Sequence, residues 1–156
     1  MKKQEVFTVS EAKLKLMRFC AYRERCHQEV EEKLRQYQLT PLEKQTVISL
    51  LIADNFLNEE RFASVFVRDK FNLQHWGKSR LQRELKLRRI SDYLIQKALL
   101  QIDPEDYLNT FNRLAEKKWQ QLGKQPLLQK KKKINDYLLR KGYEYDLINA
   151  FLHTLS

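Results

Sequence analysis

Residues 55–102 carry ten lysines and arginines against five carboxylates, whereas residues 10–54 carry eight against seven and residues 103–156 ten against seven. Clustered guanidinium and ammonium groups suit one kind of chemistry, the non-covalent binding of phosphate or carboxylate oxygens. Arg68, Lys70, His75, Trp76 and Lys78 flank one loop of this stretch, and Arg80, Arg83, Lys86, Arg88 and Arg89 follow it. Cations mixed with an aromatic ring fit a phosphate contact or an interface anchor. A solvated helix face with Trp76 packed inside accounts for the same residues, and charge alone does not choose. Two smaller groups are further binding candidates. Lys130, Lys131, Lys132 and Lys133 begin a helix, but four consecutive residues wrap its whole circumference and cannot all reach one ligand. Tyr22, Arg23 and Arg25 close another helix, where cations also complement the helix dipole.

Bond-making chemistry finds little material. Cys20, Cys26 and His27 do not have metal-ligand spacing, and the remaining histidines are His75 and His153. Glu29, Glu31 and Glu32 lie beside Lys33 and Arg35, as expected of pairing along a helix surface. No nucleophile, base and orienting group assemble. The expectation is a protein with no catalytic residue, no cofactor, no metal and no disulfide framework. Its net charge of +10 favours anionic partners. No apolar run reaches the ~18–20 residues that span a bilayer, and the first residues lack a signal-peptide apolar region. A cytoplasmic protein without membrane contact is expected.

The elements that position these side chains come from a repeat. Val30, Leu34 and Leu39 recur as Leu81, Leu85 and Ile90, and again as Ile134, Leu138 and Tyr143, at offsets of 51 and 53 residues. Val47, Ala98 and Phe151 keep the same register, as do Ile48, Leu99 and Leu152, and Leu51, Ile102 and Leu155. An apolar pattern held over three units of this length is the mark of stacked supersecondary elements. With three glycines, three prolines and apolar spacing of three and four, each unit reads as helices. Thr40-Pro41 with Glu43, Ser91-Asp92, Asn58-Glu59 and Asp103-Pro104 supply helix starts. The reading is all-α, with three tandem three-helix repeats forming an elongated, curved stack. The units are residues 1–54 with an N-terminal tail, the basic residues 55–102, and residues 103–156.

The helices predicted are Ser10–Tyr22, His27–Tyr37 and Pro41–Ala53; Glu59–Phe71, Lys78–Arg88 and Asp92–Gln101; and Pro104–Leu122, Pro126–Lys141 and Tyr145–Leu155. On the second helix of the middle unit, Leu81 and Leu85 share one face, and Arg80, Arg83, Lys86 and Leu87 gather opposite. Gly142 ends the second helix of the last unit, where a glycine takes the left-handed cap conformation. Gln38 and Arg89 hold that offset in the earlier units, so those turns are expected to be strained or built differently.

The stretch Leu57-Asn58-Glu59-Glu60-Arg61-Phe62-Ala63 resembles the Leu-Asp-Asp-x-x-Phe-Ala signature of the RecX family of recombinase regulators. The stretch from Gly77 through Arg83, Glu84 and Leu85 resembles its Gly-x-x-x-Ile-x-x-Glu-Leu. The likeness covers most of the chain. Asn58 and Glu59 depart from the usual acidic pair, Cys26 stands where a small hydroxyl residue is common, and Arg89 replaces the usual glycine. The resemblance implies a regulator lying in the groove of a RecA recombinase filament on single-stranded DNA; a monomer is expected separately, since stacked repeats with polar outer faces need no partner to cap them. Such a regulator inhibits ATP hydrolysis, strand exchange and filament growth, with direct contact to single- or double-stranded DNA left open. A stand-alone, helix-turn-helix-like DNA-binding protein is the alternative.

Overall fold

The computed structural model describes residues 5–156, and helices make up nearly all of the regular structure there. The first unit holds α1 (Val9–Tyr22), α2 (His27–Leu34) and α3 (Pro41–Ala53). The middle unit holds α4 (Glu59–Gln74), α5 (Lys78–Leu87) and α6 (Asp92–Leu99). The last holds α7 (Pro104–Gln121), α8 (Leu127–Lys141) and α9 (Tyr145–His153). Residues 1–4, which enter the expectation about a signal segment, lie outside the described residues.

Helix starts follow the capping residues. Thr40 Oγ1 accepts from the Glu43 backbone N–H at 3.1 Å, while Glu43 Oε1 accepts from the Thr40 N–H at 2.9 Å. This reciprocal pair and Pro41 fix the start of α3 at the predicted residue. Asn58, Ser91 and Asp103 cap α4, α6 and α7 in the same side-chain manner.

One predicted helix end is corrected. Tyr37 and Gln38 do not continue α2; they form a two-residue strand, β2 (Tyr37–Gln38), parallel to β1 (Glu5–Val6). The Phe7 ring meets Tyr37 edge-on at 4.8 Å, and Tyr37 is buried in the first unit's core. Pairing with a segment over 30 residues earlier gives these backbone groups partners that a longer α2 would have given locally.

The three second-helix turns are built differently, as their sequences imply. Gly142 is left-handed with φ 100°, and Arg89 is forced into the same region with φ 60°. In the first unit Gln38 pairs with Val6 instead. A non-glycine residue in the left-handed region costs about 1 kcal/mol.

The repeat anchors make the core. Val30, Leu34, Leu81, Leu85, Ile134 and Leu138 are completely buried. The interior nevertheless divides in two rather than three. One cluster, including Leu16, Val30, Val47 and Leu51, belongs to the first unit. The other runs without a break through the middle and last units, from Phe62 and Leu81 to Tyr143 and Phe151, and also takes in Cys26.

Gly77 and Gly142 explain the fusion of the last two units. The Gly77 N–H donates to the Lys141 carbonyl at 2.8 Å, and the Ser79 N–H donates to the Gly142 carbonyl at 2.9 Å. A Cβ on Gly77 would sit against the Gly142 carbonyl, and one on Gly142 against Arg80, each well inside the 3.0 Å that real Cβ atoms keep. The Lys78 N–H donates to Tyr107 Oη at 3.0 Å, and Tyr107 in turn donates to Glu144 at 2.6 Å. Tyr143 Oη donates to the His75 carbonyl at 2.8 Å. Burial pushes the hydroxyls of both tyrosines well above their ordinary pKa, so both remain protonated donors across the working pH range.

These contacts predict opposite effects at corresponding positions. Gly142→Ala loses ~2 kcal/mol or more in denaturant unfolding, from the left-handed turn and the closed contact with Arg80. Arg89→Gly changes stability by between zero and a gain of ~1 kcal/mol, because the strain it relieves is offset by the entropy of an added glycine. Cys20 and Cys26 are buried; desolvation raises both thiol pKa values, that of Cys26 to about 11. In native protein near pH 8 an aromatic disulfide reagent therefore reacts with neither thiol on the timescale on which it titrates both after unfolding.

Candidate protein or nucleic-acid interface

The basic candidates separate into side chains spent inside the molecule and side chains left outside. On α5, Leu81 and Leu85 point into the core, while Arg83, Lys86, Leu87 and, just past the helix, Arg89 are exposed. Ser79, Gln82, Arg83, Lys86 and Leu87 line an open, shallow depression of about 370 Å³. Among the described residues Arg83 has no hydrogen-bond or ion-pair partner. Lys86 stands 3.9 Å from Asp92, and Arg89 stands 3.9 Å from Glu31 of the first unit. Such long, exposed pairs are weak, so these cations remain available to an anion.

Other members of the group are committed. Trp76 is only 8% exposed, so it is core and no surface anchor. Its ring packs edge-on to Phe66 at 6.0 Å, with the Arg80 guanidinium 4.0 Å and the Lys70 ammonium 5.0 Å from its centroid. Arg80 also donates to the Arg140 carbonyl of the last unit. Arg88 donates to Glu84 at 3.0 Å and lies 4.9 Å from the Phe66 ring. Lys78 places its ammonium over Tyr107 at 4.8 Å. His75 serves through its backbone: it is the left-handed cap of α4, with φ 59°, and its carbonyl holds Tyr143. Arg68 stays on the surface beside Asp69.

The two smaller groups divide the same way. Arg25 is 8% exposed: its Nε donates to the Phe19 carbonyl at 2.9 Å, and its guanidinium lies 3.7 Å from the Phe19 ring centroid. Tyr22 is fully outside, and Arg23 pairs with Glu29 at 2.7 Å. Lys130 is 7% exposed; its ammonium donates to the Gly123 carbonyl at 2.7 Å and sits over Trp119 at 3.4 Å. Arg25 and Lys130 are thus removed from the candidate surface, because a carbonyl and a ring face within reach replace water around each cation. Lys133 donates to Gln125, while Lys131 and Lys132 have no partner among the described residues.

Between the first and middle units runs a groove of about 630 Å³, lined by residues that include Arg23, Gln28, Glu32, Phe62, Phe66 and Leu87. Arg61 ties the first and middle units together nearby in the chain, next to Phe62 of the groove lining. Its Nε donates to Glu24 at 2.6 Å, and its two other nitrogens hold the Asn55 side chain and carbonyl at 3.1 Å. Sequence reasoning passed over Arg61, since its partner lies 37 residues away and no local spacing announces it. It passed over Tyr107 and Glu144 for the same reason.

Among the described residues, no cluster of His, Cys, Asp and Glu could hold a metal, and no helix is long and apolar enough to cross a membrane.

Comparison with known proteins accords with this architecture. Residues 58–99 match the second three-helix domain of RecX, and residues 105–152 match the third. The regulatory protein RecX of Bacillus cytotoxicus is 32% identical over 148 residues, which is 95% of this chain and 55% of that protein. The Bacillus cereus G9842 protein is 29% identical over the same shares. The chain therefore spans about half the length of these relatives. The crystal structure of RecX from Lactobacillus salivarius superposes with a TM-score of 0.82 at 26% identity, covering 94% of this chain and 96% of that one. A second RecX crystal structure has the same fold, with a TM-score of 0.81 over 90% of this chain and 70% of the other, at 20% identity. The relatives are named as regulatory proteins, and with both domain models and the fold in agreement, the chain belongs to the RecX family.

Proposed function

We propose that this chain regulates a RecA recombinase filament assembled on single-stranded DNA, binding it non-catalytically and inhibiting ATP hydrolysis, strand exchange and filament growth. The observation that carries the reading is the row of Arg83, Lys86 and Arg89 around exposed Leu87 on the middle unit, where Arg83 has no partner among the described residues and Lys86 and Arg89 make only long, exposed ion pairs of 3.9 Å. Cations around an apolar side chain suit an acidic protein surface, with the charges steering encounter and the leucine adding contact area. In this reading the chain acts in the cytoplasm as a monomer of three units, residues 1–54, 55–102 and 103–156. Arg68, Tyr22, Arg23, Lys131, Lys132 and Lys133 are further candidates for contact elsewhere on the surface.

Direct DNA binding by α5 is the competing reading. It is favoured by the same exposed cations on the second helix of a three-helix unit.

The two readings separate on one variant. Arg83→Glu with Lys86→Glu touches no core residue and should leave the circular-dichroism spectrum and unfolding midpoint unchanged. In a recombinase ATPase assay on single-stranded DNA, the concentration for half-inhibition should rise about tenfold or more, equivalent to ~1.4 kcal/mol. No inhibition by the wild-type chain above stoichiometric amounts would overturn the proposal. On DNA without recombinase, the competing reading requires tight binding by the wild-type chain and a salt-dependence slope lower by about 2 in the variant.

A further inference from the structure

The two junctions between units use corresponding positions in different ways. At the junction of the middle and last units, backbone meets backbone at Gly77 and Gly142, and the apolar core runs through. The same offsets place Cys26 and Arg89 at the junction of the first and middle units. Both positions carry side chains here, buried at Cys26 and exposed at Arg89, where the other junction has two glycines. Gln28, the counterpart of Ser79, has no backbone bond to Arg89; it lines the groove that separates the units.

What holds the first junction is mainly carboxylates. Glu59 Oε2 accepts from the His27 N–H at 3.3 Å, as the Tyr107 hydroxyl accepts from the corresponding Lys78 N–H at the other junction, while the Lys141 and Gly142 carbonyls have no counterpart here. Glu24 meets Arg61 at 2.6 Å, and Glu31 meets Arg89 at 3.9 Å. All four of these ionic side chains are partly solvated, from 26% exposed for Glu24 to 76% for Arg89. The Glu31–Arg89 pair is long and weak; the Glu24–Arg61 pair is short, and being partly solvated it is still weakened by salt. Of the apolar contacts, Cys26 reaches into the second core, but the first unit keeps a core of its own. The connecting turn, residues 54–58, contains Asn55 with φ 63°, pinned by Arg61 alone among side chains of the middle unit.

We propose that the chain bends at a single hinge, this turn, so that the first unit swings as one body against a fused middle-and-last body. Arg61 is the strut that sets the angle. The swing changes the width of the groove floored by Phe62 and Phe66, whatever partner later enters it. The proposal does not depend on a recombinase partner, because it concerns the free chain.

The test measures distances between pairs of spin labels by pulsed electron resonance in the full chain, with Cys20 and Cys26 left in place because their buried thiols do not react in the native protein. One pair is placed at exposed Gln45 on α3 and Asn72 on α4, the other at Asn72 and exposed Asn112 on α7. The first pair should give a distribution about twofold wider than the second, and it should widen or shift as salt rises from ~0.05 to ~0.5 M. Glu24→Gln, which keeps the shape of the side chain but removes its charge, should produce the same change at low salt. The second pair should respond to neither. Equal widths for both pairs, indifference of the first to salt and to Glu24→Gln, or parallel broadening of both would each overturn the single hinge. An unchanged melting transition for Glu24→Gln distinguishes swinging from loss of fold.

Discussion

The start of α5 depends on another unit of the chain. A helix leaves its first backbone N–H groups without partners, and α5 begins at Gly77, which has no side chain to supply one. Residues of the last unit meet the need: Lys141 and Gly142 through their carbonyls and Tyr107 through its hydroxyl. Because polar groups buried without partners are costly, α5 and α8 cannot separate without exposing this set together. The close approach needs a glycine on each side. The continuous core and the aromatic series Phe71, Tyr107, Tyr143 and Phe111 are packed around that contact.

The same constraint sorts the charges of the middle unit. With the beginning of α5 fixed against the last unit, Arg80 falls beside Trp76 and the Arg140 carbonyl, and its cation is consumed there. Arg83 is three residues on and Lys86 six, and at ~100° per residue they clear that contact. A surface face of defined direction thus results from an interior bond. The loss of Trp76 to the core strengthens this arrangement, since its ring stabilises Arg80 and Lys70 at the point where the units join.

Much of this was legible because it is local or periodic. The Thr40, Pro41 and Glu43 cap needs four residues, and the buried anchors follow from spacing alone. The left-handed turn at Gly142 and the irregularity of its counterparts were visible from the single residue that differs. What escaped depends on partners distant in sequence. The strand at Tyr37 requires residues 5 and 6, the Arg61 clamp requires Glu24, and the pairing of Gly77 with Gly142 joins residues 65 apart. Arg25 and Lys130 were misjudged because a long cationic side chain can bury its stem and still satisfy its head on a carbonyl and a ring. Composition counts such a residue as surface charge.

Arg89 belongs both to the turn that ends α5 and to the exposed face of that helix. Its backbone adopts a conformation that glycine takes freely and arginine takes at a cost of about 1 kcal/mol. Its ion pair with Glu31 is long, with the Arg89 side chain mostly and the Glu31 side chain partly solvated, so the pair returns a fraction of that at most. No buried contact of its side chain offsets the rest. A glycine at this point would serve the turn better, as Gly142 does in the last unit, yet it would remove one cation from the exposed face of α5. The residue therefore carries local strain at the turn, and what it adds is charge on the face proposed for binding. In the proposed reading, a contact made outside the molecule compensates this strain.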